Sequence, residues 1–197
     1  MVMGNAVAQV VSAAWVEAAG CDWPGLAPTV DVVAAAQAAE AHWGLAGVRS
    51  GDDGGWVVVL VTPAANVPPG HPLAGAGLGR GVAGVLALWS SEGEPASVPA
   101  KWLIQALAAR LVDRCPAIET QVSPTGAATS CCPTVGLVAS LGFSPVPETP
   151  LRYRLDLTRT ELWAPLRWAR RLSPRLVWAP KPAPATRQLR SVSQVRV

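Results

Sequence analysis

The chain has 197 residues, half of them apolar and only 15% charged, enough to bury one domain plus a tail but too few for two full domains or a disordered whole. Its net charge of +3 hides a division: residues 1–150 hold five basic and eleven acidic side chains, residues 151–197 eleven basic and two acidic. A long uncharged run, Gly54 to Gly79, is broken by Pro63, Pro68, Pro69 and Pro72, which excludes a membrane helix there.

The first stretch, Met1 to Gly20, is apolar but lacks a positive start and contains Glu17, so it does not read as a signal peptide. Residues 5–19 place Val7, Val10, Val11 and Ala14 on one face, which predicts a helix capped by Asn5. Gly20 to Pro28 is a break, after which Thr29 or Asp31 opens an alanine-rich helix that Gly44 ends after Trp43. Together these give a helical amino-terminal part over 5–43. Gly51 to Gly55 reads as a turn, and Trp56 to Val61 as a strand with no polar residue, hence covered on both faces. Pro63 to Gly81 is a Gly- and Pro-rich loop, Val82 to Trp89 a strand, and Ser90 to Ala100 a second loop. Lys101 to Asp113 has the most regular apolar stripe, through Leu103, Ala106, Leu107 and Leu111. A short strand follows at Ile118 to Val122.

The next segment, Cys131-Cys132-Pro133-Thr134-Val135-Gly136-Leu137-Val138-Ala139-Ser140-Leu141-Gly142-Phe143, reads as a helix over about 129–141 stopped by Gly142. A proline-rich connection leads to Leu151–Leu157, which alternates Leu151, Tyr153, Leu155 and Leu157 with Arg152, Arg154 and Asp156, a half-buried strand. Strands alternating with helices predict an α/β fold with a mixed sheet. This helix, Gly-Phe stop and strand resemble the carboxy-terminal half of the GNAT superfamily of N-acetyltransferases. That family often writes the helix Asn-x-Pro-Ala-x-x-Leu-Tyr-x-x-x-Gly-Phe. Pro133, Leu137, Gly142 and Phe143 match it, whereas Cys131, Thr134 and Val138 replace the asparagine, alanine and tyrosine. The likeness spans about residues 56–157.

The resemblance implies a GNAT-like mixed central sheet flanked by helices over residues 1–157. It also implies an acyl-CoA, acetyl-CoA in the simplest case, held between two splayed central strands. The acyl group would pass directly to an amine on a small molecule or protein. By the same resemblance the cofactor would lie along Leu88 and Trp89, at the helix start Ala100-Lys101-Trp102-Leu103, and at Cys131. The family's phosphate loop, Gln/Arg-x-x-Gly-x-Gly/Ala, falls here on residues 96–104, which contain no glycine and include Pro99. Gly79-Arg80-Gly81-Val82-Ala83-Gly84 carries the glycines instead, either as a loop leading into a strand or as a displaced phosphate loop. It fails as a dinucleotide fingerprint, because no strand precedes it.

For catalysis, Glu92 and Glu94 are candidate bases or ordinary loop glutamates. Tyr153 is the one phenol in the chain, a candidate acid or a core residue. Val138, at the family's tyrosine position, has no proton to give. Cys131 and Cys132 read as buried thiols, or as thiols activated near a helix start. The four cysteines (Cys21, Cys115, Cys131, Cys132) show neither a disulfide framework nor metal spacing, which fits a reducing cytoplasm. His42 reads as a cap or surface residue and His71 as a loop residue.

Residues 158–197 form a basic carboxy-terminal extension. Thr158-Arg159-Thr160-Glu161 resembles a capping box, and Arg and Trp (Trp163, Trp168, Trp178) interleave up to Lys181 before a proline-rich end. This composition suits packing on the acidic body or another subunit, a nucleic acid, or a membrane surface. A non-catalytic GNAT-like assembly subunit, its tail bound to a protein or nucleic-acid partner, is therefore the alternative to an enzyme.

Overall fold

A computed structural model describes residues 8–19, 31–52, 55–75 and 77–158. Residues 1–7, the break at 20–28, and the tail beyond Thr158 with its capping box lie outside the described residues.

Near the amino terminus the valines are used differently from the helix that their spacing predicts. Gln9–Val11 is a strand, β1, and Ala13–Ala18 a short helix, α1. Ser12 makes the break: its backbone is extended and its side chain accepts the Trp15 N–H at 3.2 Å, a side-chain N-cap. The β-branched valines ahead of it gain a ladder, with Val11 opposite Gly47. Asp31 caps α2 (Val32–Trp43), and Gly44 ends it in a left-handed conformation at φ 73°, as the sequence predicts. The exposed His42 sits edge-on to the buried Trp43 ring, at 5.4 Å between centroids.

Gly47–Asp52 forms β2, which the glycine and charge content of that stretch conceals. It pairs antiparallel with β3 (Gly55–Pro63), and β3 pairs with β4 (Ala83–Ser90). Val58, Val59, Leu60 and Val61 are fully buried, so this part of the strand predicted at Trp56–Val61 is covered on both faces as expected. Leu60 opposes Ala87 and Val61 opposes Val85, leaving Leu86 as the extra residue of a β-bulge.

Helix α3 spans Ser97–Leu111, starting four residues before the predicted Lys101, because Pro99 sits in the first turn where no N–H is needed. Strand β5 is Ala117–Gln121. The predicted helix over 129–141 shortens to α4, Val135–Ser140, since Pro133 favours extended backbone before it and Thr134 caps it by accepting the Leu137 N–H at 3.3 Å. The proline-rich connection contains an edge strand, β6 (Ser144–Val146), before β7 (Thr149–Asp156).

The seven strands make one mixed sheet in the order β1-β2-β3-β4-β5-β7-β6, with β4 and β5 as its parallel pair. The fold class is thus α/β with a mixed sheet and helices. Helices α1 and α2 pack with Val58, Leu60, Leu86 and Ala87 into a common core, fringed by the partly buried Trp15, Trp56 and Trp89. Helix α3 buries Leu103, Leu107 and Leu111. Arg49 stacks over the Trp15 ring at 5.3 Å, and the Arg114 guanidinium donates to the Trp43 carbonyl. Among the described residues no helix is long and apolar enough to cross a membrane.

Beyond α2, the connection 64–82 folds over the sheet. Its anchor is His71, 2% exposed and far from an ordinary loop residue. Nδ1 accepts the Leu73 N–H at 3.1 Å, so the ring proton resides on Nε2, which donates to the Leu86 carbonyl at 3.1 Å. The bulge residue of β4 is thereby tied to the loop. Burial holds the His71 pKa below its usual value, opposed by the hydrogen bond to Leu86. The unfolded chain then takes up a proton more readily than the folded one. Stability should be fully present above the ordinary histidine value of about 6.5 and fall as pH drops below it. Urea melts of the wild type and His71→Gln between pH 5 and 8 should show this slope in the wild type and a reduced slope in the variant.

Candidate active site at the parting of two central strands

Strands β4 and β5 are joined at only two registered positions, Ala83 with Ile118 and Gly84 with Glu119. Beyond Gly84, β4 continues six residues to Ser90 and β5 two residues to Gln121 without further pairing to each other. Parallel strands that part in this way leave backbone donors and acceptors facing a gap at their carboxyl ends, where open α/β sheets bind ligands.

The β5–α4 loop enters this gap. The Leu88 N–H donates to the Ser130 carbonyl at 2.8 Å, so loop backbone takes the place a neighbouring strand would hold. The loop is itself tied: Thr129 and Cys132 exchange two backbone hydrogen bonds, at 3.0 and 3.2 Å, and the Thr129 hydroxyl accepts a further bond from the Cys132 N–H at 3.1 Å. Its thiols lie within this turn, both buried. Hydrogen bonding from Cys132 pulls the Cys131 thiol below its ordinary value, against the opposing cost of burial and with help from Thr129. The same contact, together with burial, pushes Cys132 up. Cys115, elsewhere in the core, is pushed up to about 11 by burial.

From the carboxyl end of β4 the chain runs through the β4–α3 loop to the start of α3. Its N-cap, Ala96, makes no side-chain hydrogen bond, and the first turn has no acidic residue. Ser97, Val98, Lys101 and Trp102 are exposed there. A helix start without a side-chain cap carries outward N–H groups and positive dipole, here with Lys101 beside it.

The residues named from sequence fall into three groups. Leu88, Trp89 and Cys131 border the gap or its filling loop, and Lys101 and Trp102 stand free at the α3 start. Ala100 and Leu103 are fully buried and present no side chain to a ligand. Of the catalytic candidates, Glu94 is a cap: its Oε1 accepts the Thr134 N–H at 2.6 Å, fixing the start of α4 to the β4–α3 loop. Glu92 is exposed on the tight turn after β4, where its N–H donates to the Ser90 hydroxyl at 3.2 Å. Tyr153 is half-buried on β7, opposite Thr120 of β5 and Pro145 of β6.

One group was missed. Glu119, 1% exposed, stands on the last shared rung of β4 and β5. Its Oε1 accepts from Arg154 Nη1 at 2.8 Å, and its Oε2 lies 3.4 Å from Arg152 Nε. The signal was present as a lone glutamate in the middle of the short strand Ala117–Gln121 and two arginines alternating on β7. Among the described residues no cluster of three or more His, Cys, Asp or Glu side chains is placed to hold a metal ion.

Comparison of the chain with protein-family models, curated proteins and solved structures finds no match.

Proposed function

We propose that the protein is a GNAT-type acyl-CoA-binding protein that transfers an acyl group to an amine. The observation that carries this reading is the parting of β4 and β5 after Gly84, with an uncapped α3 start following β4 in the chain. The helix start and Lys101 would hold the phosphates, and the end of β4 that has parted from β5, near Leu88 and Trp89, would lie along the acyl arm. The arm would compete with the Ser130 carbonyl for the Leu88 N–H, so binding would displace the turn that holds Cys131 and Cys132. Bound there, the thioester supplies an activated carbonyl. The chain's own part is to orient that carbonyl and shield it from water, with transfer direct to the amine and no covalent enzyme intermediate. An acyl-CoA-dependent protein of this kind would work in the cytoplasm.

A second reading, a non-catalytic assembly subunit of the same kind, is favoured by the fate of the acid–base candidates. Glu94 is occupied as a cap, and the gap holds the chain's own loop. The extension over 158–197 would then contact the protein or nucleic-acid partner.

Titration calorimetry with acetyl-CoA tests the enzyme reading. Binding in the micromolar to millimolar range is expected, weakened about ten-fold in Lys101→Ala. Absence of heat at millimolar ligand removes the enzyme reading and leaves the assembly subunit. Release of CoA thiol on adding amines to a binding-competent protein distinguishes the enzyme from the subunit.

A further inference from the structure

The loop that His71 anchors borders an open cavity of about 620 Å³, lined among others by Val67, Leu73, Leu78, Gly79, Arg80 and Gly81. That volume is in the range of small-molecule sites. Its walls are short apolar side chains and glycine backbone, and Arg80, itself exposed, is the charged residue of the lining. The cavity sits before Ala83, at the opposite end of β4 from Leu88, roughly 17 Å along the strand from the gap described above.

A second cation lies against the same wall. A Cβ placed on Gly79 would come 3.9 Å from Arg154 Nη1. The Arg154 side chain is 37% exposed even while it binds Glu119. Arg80 and Arg154 are thus the two cations at this wall; Arg152 lies opposite Gln121 toward the gap, and Asp156, opposite Ala117, has its Oδ1 engaged by the Thr158 N–H and hydroxyl. Gly84 deepens the floor: a Cβ there would press on Leu73 Cδ1 at 3.3 Å, and on Leu78 Cδ1 and Val67 Cγ2 at 3.4 Å. Glycine at 84 therefore lets the apolar floor approach the strand, while Gly79 lies beside the Arg154 guanidinium.

We propose that this cavity is a binding site for a small carboxylate with a short apolar body. The apolar part rests on Val67, Leu73 and Leu78, and the carboxylate is paired by Arg80 with support from Arg154. Planar guanidinium groups match a carboxylate in two parallel hydrogen bonds. The positive charge of these two guanidinium groups rejects amines. Nothing in this site depends on the acyl-CoA reading, and the two are separated by the length of a strand.

The test is amide NMR of the full chain titrated with hexanoate, hexylamine and inorganic phosphate. Hexanoate should shift the amides of Leu73 and Leu78–Val82 saturably, with Kd near about 1 mM. Arg80→Ala should weaken it about ten-fold, the loss expected for one charged hydrogen bond, and Arg80→Glu should abolish it. Because residue 80 is exposed, both variants should keep the wild-type spectrum elsewhere. Val67→Asn should weaken hexanoate too. Three results would overturn the proposal: no saturation by hexanoate, hexylamine binding as well as hexanoate does, or phosphate binding tighter than hexanoate and indifferent to Val67→Asn.

Discussion

Glu119→Ala is expected to lower unfolding stability by about 3–5 kcal/mol, because it removes the partner of two arginines, one of them largely buried. Glu119 lies inside β5, between β4 and β7, with Arg154 directly opposite and Arg152 two residues along the same face. The Arg152 side chain is only 13% exposed, so water cannot replace the lost carboxylate there. Arg154, more open, recovers part of its solvation. The sign depends on which partner is lost. Replacing Glu119, Arg152 and Arg154 together by leucine or methionine exchanges a desolvated ion cluster for apolar contact, and should return stability to within about 1 kcal/mol of wild type. Urea denaturation of the single and triple variants checks this. Equal loss in both would mean that packing volume and not charge is what the cluster supplies. Because Glu119 is buried, the single-variant loss should also persist in 1 M salt, where an exposed pair would be screened.

Gly47→Ala should be nearly as damaging, at about 3 kcal/mol or more, for a different reason. A Cβ at 47 runs into the Val59 carbonyl oxygen and reaches 3.0 Å from the Leu60 Cα, so the obstacle is backbone that no rotamer change can clear. Gly47 opens β2 opposite Leu60 and pairs with Val11 of β1, and a shift there separates the first strands from the core. Gly136→Ala in α4 is the control. Nothing lies within 4 Å of its added methyl, and the helix should gain up to about 1 kcal/mol. Thermal unfolding should place the two variants on opposite sides of wild type.

Local signals in the sequence were reliable where the chain itself supplies the decisive interaction. Asp31 and Gly44 bound α2, the strand predicted at Trp56–Val61 became part of β3, and Gly142 ends the turn after α4 at φ 92°. A cap or a left-handed residue needs only its near neighbours, and these were legible. Helical spacing of Val7, Val10, Val11 and Ala14 misled, because a period of 3.6 in four small apolar residues carries less free energy than the ladder that β1 gains from β2. β2 itself, with glycine at 47 and 51, has no strand signature; its form is imposed by β3, which needs an edge partner.

The candidate site divides in the same way. Lys101 and Trp102 at a helix start, and the cysteines beside Pro133, were visible as residues with chemistry. That Glu94 caps α4 across 40 positions, that Ser130 fills the place beside Leu88, and that Arg154 comes up behind Gly79 were not. Composition and short-range pattern alone determined an α/β chain with a covered central strand and a helix whose apolar stripe runs through Leu103, Leu107 and Leu111. Tertiary structure alone decided which carboxylate is buried, where the parallel strands part, and which glycine faces a guanidinium, since each depends on backbone segments tens of residues apart meeting at van der Waals distance.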